Sequence, residues 1–123
     1  MDKRQLNILV IDDSTEIRWL VRYALEAEGH KVKEAKDGLE GLESVRQAVP
    51  DLIILDVQMP IMSGSEFVRE IKKAPDTAGA SVPVIVMSAS PVNDPYLRSN
   101  SQHVLQKPID LDSLFELIEK FAP

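Results

Sequence analysis

The sequence predicts a single three-layer α/β domain built on a five-stranded parallel sheet. Five short runs of apolar and β-branched residues are spaced along 123 residues, with helix-periodic segments between them, which is the rhythm of βα units. The middle run, Leu52-Ile53-Ile54-Leu55, has no polar alternation, as suits a strand covered on both faces. The runs also end in reactive side chains: Asp12-Asp13 after the first, Asp56 after the third, Ser88 after the fourth and Lys107 after the fifth. Open α/β sheets place ligands at that carboxyl edge.

In chain order, residues 6–11 form the first strand. Asp13 or Ser14 caps a helix whose apolar positions Ile17, Leu20, Val21, Ala24 and Leu25 recur at helical spacing, and Gly29 stops it. Residues 31–35 make a weaker second strand. Asp37-Gly38 turns into a helix marked by Leu39, Leu42, Val45 and Val49, which Pro50 ends. After the central strand and the Met59-Pro60 loop, Phe67, Val68 and Ile71 mark a third helix, and residues 73–81 read as loop. The fourth strand covers residues 82–87, with Pro83 near its start where a missing N–H is tolerated. Pro91 and Pro95 leave little room for a long helix before the fifth strand, residues 103–106. Asp110 opens a last helix carrying Leu111, Leu114, Phe115 and Ile118.

Composition narrows the function. A formal charge of -6 with scattered basic residues argues against direct nucleic-acid binding. The absence of cysteine removes disulfides, thiolate metal sites and thiol nucleophiles, and fits a reducing compartment. Met1 to Gln5 lack the apolar core of a signal segment, and no apolar run approaches a membrane-spanning length. We therefore expect a cytoplasmic protein with no membrane insertion, one domain over residues 1–123, and no output domain.

A lone Asp after a strand is ordinarily a turn former, but three at one sheet edge need another account. Carboxylates brought together repel, so they take up protons or hold a cation. Oxygen-only ligands favour Mg2+, or Mn2+, over zinc. Such an ion is normally shared with a phosphoryl group, whose other oxygens Lys107 and Ser88 can hold. A carboxylate can itself be the nucleophile toward phosphorus. Asp56, at the end of the most apolar strand, is the candidate, with Asp12 and Asp13 left to hold the ion.

On these residues the chain resembles the receiver domain of two-component response regulators along nearly its whole length. The acidic pair looks like Asp12-Asp13, the acceptor followed by x-x-Met-Pro like Asp56 to Pro60, the hydroxyl-small pair like Ser88-Ala89, and the Lys-Pro like Lys107-Pro108. The resemblance implies a flavodoxin-like (CheY-like) fold of strand order 2-1-3-4-5 and a bound Mg2+. It implies phosphoryl transfer to Asp56 from a sensor histidine kinase or a histidine phosphotransfer protein, with a downstream protein target. It further implies a cis Lys107-Pro108 bond and the backbone carbonyl of Gln58 as a metal ligand. Such a domain is a signalling module, at most catalysing its own phosphorylation and dephosphorylation.

Two positions depart from the family pattern. Val104 stands where the family has an aromatic switch residue, and the stretch from Ser88 to Lys107 is short by about one helical turn. The expected output is therefore an order change between residues 90 and 102 rather than a rotamer switch. Rival readings are a small-molecule phosphatase or phosphotransferase using the same aspartyl chemistry, a flavin carrier of the same fold, and a receiver excised from a longer hybrid kinase or regulator. The phosphatase needs a cap or a second acid beside Asp56, and the flavin carrier a Ser/Thr-rich loop in place of Asp12-Asp13. Trp19 reads as packing, His30 and His103 as non-catalytic, Gly38 and Gly41 as turn and packing positions, and Met59, Met62 and Met87 as loop and core fillers.

Overall fold

The computed structural model describes residues 5–73 and 78–121. Its elements alternate as the apolar runs require: β1 (Asn7–Ile11), α1 (Thr15–Ala27), β2 (Lys31–Ala35), α2 (Gly38–Gln47), β3 (Leu52–Asp56), α3 (Gly64–Lys72), a short 3-10 turn (Ala78–Ser81), β4 (Val84–Ser88), α4 (Pro95–Ser99), β5 (His103–Gln106) and α5 (Leu111–Glu119). All strand pairs are parallel, in the order β2-β1-β3-β4-β5. That is the flavodoxin-like order the resemblance implies.

Strand side chains alternate between faces, and the two faces hold separate cores. Leu9, Ile11, Ile53, Leu55, Val84 and Val86 meet Leu42 and Val45 of α2, Phe67, Val68 and Ile71 of α3, and Leu97 of α4. Ile8, Val10, Leu52, Ile54, Ile85 and Met87 meet Val21 and Leu25 of α1 and Leu114, Leu117 and Ile118 of α5. Every residue of β3 is buried, so the central strand is covered on both sides as its unbroken apolar run predicts. Met87 lies in the core under α1 and α5, while Met59 and Met62 pack against the core on the opposite face. A Cβ at Gly41 would fall 2.6 Å from Ile11 Cδ1 and 3.0 Å from Phe67 Cε1, and one at Gly38 would fall 2.8 Å from Met62 Sδ, so both glycines serve close packing.

Several local expectations are corrected. Leu20 is exposed, and so is Trp19, whose ring stacks on Tyr23 with centroids 5.4 Å apart. The α1 face toward the sheet is set by Val21, Ala24 and Leu25, which turns positions 19, 20 and 23 outward. The cap of α1 is Ser14, whose hydroxyl accepts from the Ile17 N–H. The α2 helix stops at Gln47, leaving Val49 outside it, and both Val49 and Leu39 are exposed. Asp37 caps α2 by accepting from the Glu40 N–H at 2.9 Å.

The fourth strand begins at Val84 rather than Val82, because Pro83 has no N–H for the ladder and contributes only its carbonyl, to the Ile53 N–H at 3.0 Å. In the expected loop over 73–81, residues 78–81 form the 3-10 turn, and residues 74–77 lie outside the described residues. Asp110 precedes α5 as expected, but its carboxylate accepts from the Ser113 hydroxyl at 2.6 Å instead of a backbone N–H. The stretch between the fourth and fifth strands does hold only a five-residue helix.

Candidate functional site

The carboxyl edge of the sheet gathers the acids. Asp12 follows β1 and is fully buried, Asp56 closes β3 and is also buried, and Asp13 is exposed. One oxygen from each lies within 4.8 Å of one from either of the others. Lys107, next after β5, reaches back so that its Nζ stands 2.9 Å from Asp12 Oδ2 and 3.2 Å from Asp56 Oδ1. The backbone there is held by Lys107 N, which donates to the Ser88 carbonyl at 2.8 Å. The Lys107-Pro108 bond is cis, as the resemblance implies.

Asp12 is held at every polar group. Its N–H donates to the Ala35 carbonyl at 3.1 Å, its carbonyl accepts from Arg18 Nη1 at 2.7 Å, and its Oδ1 accepts from the Ser14 N–H at 2.8 Å. Asp56 is fixed by its strand, because the Val57 N–H next to it donates to the Met87 carbonyl at 3.2 Å. Ser88 is also at this edge, but its hydroxyl donates to the Ser90 carbonyl and accepts from the Ser90 N–H at 3.2 Å. The sequence places Ser88 correctly and cannot show that its hydroxyl is already engaged. Gln58 lines an open depression of about 530 Å³ with Asp13, Met59, Ser63, Ser65 and Asp94. A cavity of about 580 Å³ at the opposite, amino end of β1 and β2 is remote from the acids.

The electrostatics follow from crowding. Burial pushes the Asp56 carboxyl above its ordinary range, and the neighbouring Asp12 charge adds to this, while Lys107 only partly offsets both. Burial pulls the Lys107 ammonium down, but its bonds to Asp12 and Asp56 outweigh that and hold it above the usual lysine value. Three carboxylates against one ammonium leave two negative charges when all are ionised. An all-oxygen donor set with that excess fits a hard divalent cation such as Mg2+.

Sequence reasoning missed three contributors. Gly64 starts α3 and donates its N–H to the Val57 carbonyl at 2.9 Å, with its Cα packed so closely that a Cβ would fall 2.8 Å from the Asp56 carbonyl oxygen. Arg18 grips the Asp12 carbonyl, and Asp94 brings the start of α4 to the rim of the depression. Ile61, φ +73°, forms a γ-turn in which the Met62 N–H donates to the Pro60 carbonyl at 2.8 Å. A β-branched residue there stores about 1–3 kcal/mol of strain beside the site.

The profile of the response regulator receiver domain matches residues 8–119. The transcriptional regulatory protein ZraR of Klebsiella oxytoca is 37% identical over 117 residues, which cover 93% of this chain and 26% of that protein. Sporulation initiation phosphotransferase F of Bacillus subtilis is 31% identical, with 94% of this chain and 93% of the relative covered. The chain thus spans about a quarter of one relative and over nine-tenths of another. Among solved structures, the chemotaxis response regulator CheY4 of Vibrio cholerae superposes with a TM-score of 0.86 at 28% identity, covering 95% of this chain and 98% of that one. With the profile covering all but the ends, and the sheet order and acidic edge in place, the chain belongs to the family of response regulator receiver domains.

Proposed function

We propose that this receiver accepts a phosphoryl group on Asp56 in a Mg2+-dependent reaction and passes the signal on through altered protein contacts. The observation that supports it most is the trio of carboxylates with Lys107 bridging Asp12 and Asp56. Asp12, Asp13, Asp56 and the backbone carbonyl of Gln58 would hold the cation, Mn2+ serving in place of Mg2+. When bound, the cation supplies charge neutralisation between the carboxylates and the phosphoryl oxygens. The donor would be the phosphohistidine of a sensor histidine kinase or a histidine phosphotransfer protein. An Asp56 oxygen forms the new bond to phosphorus as the phosphorus–nitrogen bond breaks, with the electron pair staying on the imidazole. An ionised carboxylate has no proton to lose, so no general base is needed. Lys107 is placed to transfer one of its bonds to a phosphoryl oxygen, and Ser88 to exchange the Ser90 carbonyl for another.

On this reading the chain is a signalling module that turns over no other substrate. It acts in the cytoplasm as one domain over residues 1–123, without direct nucleic-acid contact. Among the described residues no helix is long and apolar enough to cross a membrane. The partial coverage of ZraR supports a second reading, in which the same site serves as the receiver of a longer regulator. Incubation with a small acyl phosphate tests the chemistry. Hydroxylamine-labile phosphate should accumulate with Mg2+ and not in a chelator, and labelling at equal rates in both would contradict the cation requirement. Asp13→Asn should weaken Mg2+ binding by more than the about tenfold cost of losing an outer partner of a ligand. Glu43→Gln, on the exposed side of α2, should leave it unchanged in the same titration.

The signal would leave through residues 90–102. Ser88 closes the turn to Ser90 through both of that residue's backbone groups, so its departure toward a phosphoryl oxygen loosens the entry to α4. That helix has only five residues. It faces α3, where the nearby Ser65 hydroxyl holds the Asp94 carboxyl below the ordinary range and the Arg69 guanidinium lies 3.9 Å from the Tyr96 ring centroid. Val104, partly buried against the core, offers no ring to move. Amide exchange should change between residues 90 and 102 on adding a phosphoryl mimic, with Val104→Ala barely altering the response. Unchanged protection there, with changes on another face, would direct the output to α1 or α5.

A further inference from the structure

We infer that Arg18 is a positioning residue for the cation site, acting through the Asp12–Asp13 peptide plane to aim the Asp13 carboxylate; this rests on the cation reading proposed above. Among the described residues no hydrogen bond or ion pair holds the Asp13 side chain, which is exposed. Its direction therefore depends on the backbone that carries it. The peptide linking Asp12 to Asp13 is gripped at its carbonyl by Arg18 Nη1 at 2.7 Å, the length of a strong charge-assisted bond. On the other side of Asp12, the N–H is pinned to the Ala35 carbonyl of β2. With both ends held, rotation of the Asp12–Asp13 plane, which would swing Asp13 away from Asp56, is blocked.

Arg18 is itself held. Its Nε donates to Glu34 Oε1 at 3.1 Å, its side chain is only 14% exposed, and Arg22 Nη1 takes the other Glu34 oxygen at 3.0 Å. Burial raises the Glu34 carboxyl, but the bonds from Arg22 and Arg18 outweigh it and hold the group below its ordinary value. The planar guanidinium suits a task that needs two directed bonds at a fixed angle, one to Glu34 and one to the Asp12 carbonyl. A lysine has the reach for one of them. The clamp carries no bond to a reacting atom, so its effect is on where Asp13 stands.

Mn2+ binding followed by its electron paramagnetic resonance signal tests this without reference to phosphorylation. Arg18→Ala should raise the Mn2+ dissociation constant about tenfold, the scale for outer partners of metal ligands. Arg18→Lys should fall between it and the native chain, and Arg22→Ala, which loosens the same network on its exposed side, should stay within twofold. In Mg2+-dependent labelling, the Arg18 variants should need more Mg2+ for half the maximal rate while approaching the native rate at saturation. If Arg18→Ala does not fold, Arg18→Lys against Arg22→Ala decides. Equal affinity in the native chain and the folded Arg18 variants overturns this inference and leaves the Asp56 assignment standing. Equal weakening by Arg22→Ala overturns it too, by reducing the effect to general loosening. Absence of Mn2+ binding by the native chain overturns both this inference and the cation reading.

Discussion

Asp56→Asn is expected to be inert to phosphoryl donors and, at neutral pH in a chelator, more stable than the native chain. Inertness follows because an amide is no nucleophile toward phosphorus, and Asp12, the other buried acid of the cluster, is already committed to Ser14 and Lys107. The stability gain follows from linkage. Burial and the Asp12 charge raise the Asp56 carboxyl in the folded state above its ordinary value of 3.8. A group raised on folding favours the folded state below its unfolded value, and that contribution is lost as pH climbs through the folded value. At neutral pH the native chain therefore carries an ionised, crowded Asp56, and Asn removes that repulsion while Lys107 keeps Asp12. A gain of about 1 kcal/mol would raise the melting temperature by about 3–5 °C. The difference should shrink as pH falls through the raised folded-state value of Asp56, where the carboxyl takes up its proton. Thermal unfolding of both chains from pH 4 to 7.5 measures it, and a variant less stable at pH 7 would show that the Lys107 bond outweighs the crowding. Site geometry here is maintained against folding stability, as functional sites often are.

Gly64→Ala should damage both the fold and the reaction. The added Cβ would fall 2.8 Å from the Asp56 carbonyl oxygen and 3.0 Å from the Val57 Cα. Both are backbone atoms between β3 and α3, so no side chain can swing aside. Either α3 moves outward, stretching the bond from the Gly64 N–H to the Val57 carbonyl and disturbing Phe67 and Val68 in the core, or the end of β3 shifts with Asp56 on it. Overpacking of this kind costs about 1–3 kcal/mol. A displacement of about 1 Å at a reacting group costs on the order of a hundredfold in rate. Denaturant unfolding should show the stability loss, and labelling at saturating Mg2+ the slower transfer. A variant with native stability and native rate would mean that the chain relaxes there without moving Asp56. Gly29, whose added Cβ meets no atom within 4 Å, would be strained only by its φ of +96°, so Gly29→Ala should lose stability without slowing transfer.

The sequence made the acidic edge legible because strand ends are local signals: an apolar run that stops at an acid shows both the strand and where its edge lies. Asp12, Asp56, Ser88 and Lys107 could be placed on one side of the sheet from that alone. What stayed hidden depends on geometry between segments distant in sequence. The close approach of Gly64 to Asp56 and the reach of Arg18 to the Asp12 carbonyl leave no periodic trace. The Ser88 hydroxyl could not be oriented either, because its partner is a backbone carbonyl two residues on. Leu20 and Trp19 failed for another reason. At 100° per residue Leu20 lies at the margin of the stripe centred on Val21, Ala24 and Leu25, and Trp19 lies nearly opposite it, so both come out exposed. Pro83 delayed the start of β4 by two residues, from Val82 to Val84, by the rule the sequence already showed.

On the proposed function Asp56 is the residue that carries phosphorus. Borohydride reduction of the chain after labelling with an acyl phosphate and Mg2+, followed by peptide sequencing, locates an acyl phosphate by converting its aspartate to homoserine. Homoserine is expected at position 56, with Asp12 and Asp13 intact. Reduction at Asp12 or Asp13, or hydroxylamine-stable phosphate on Ser88, would contradict that assignment.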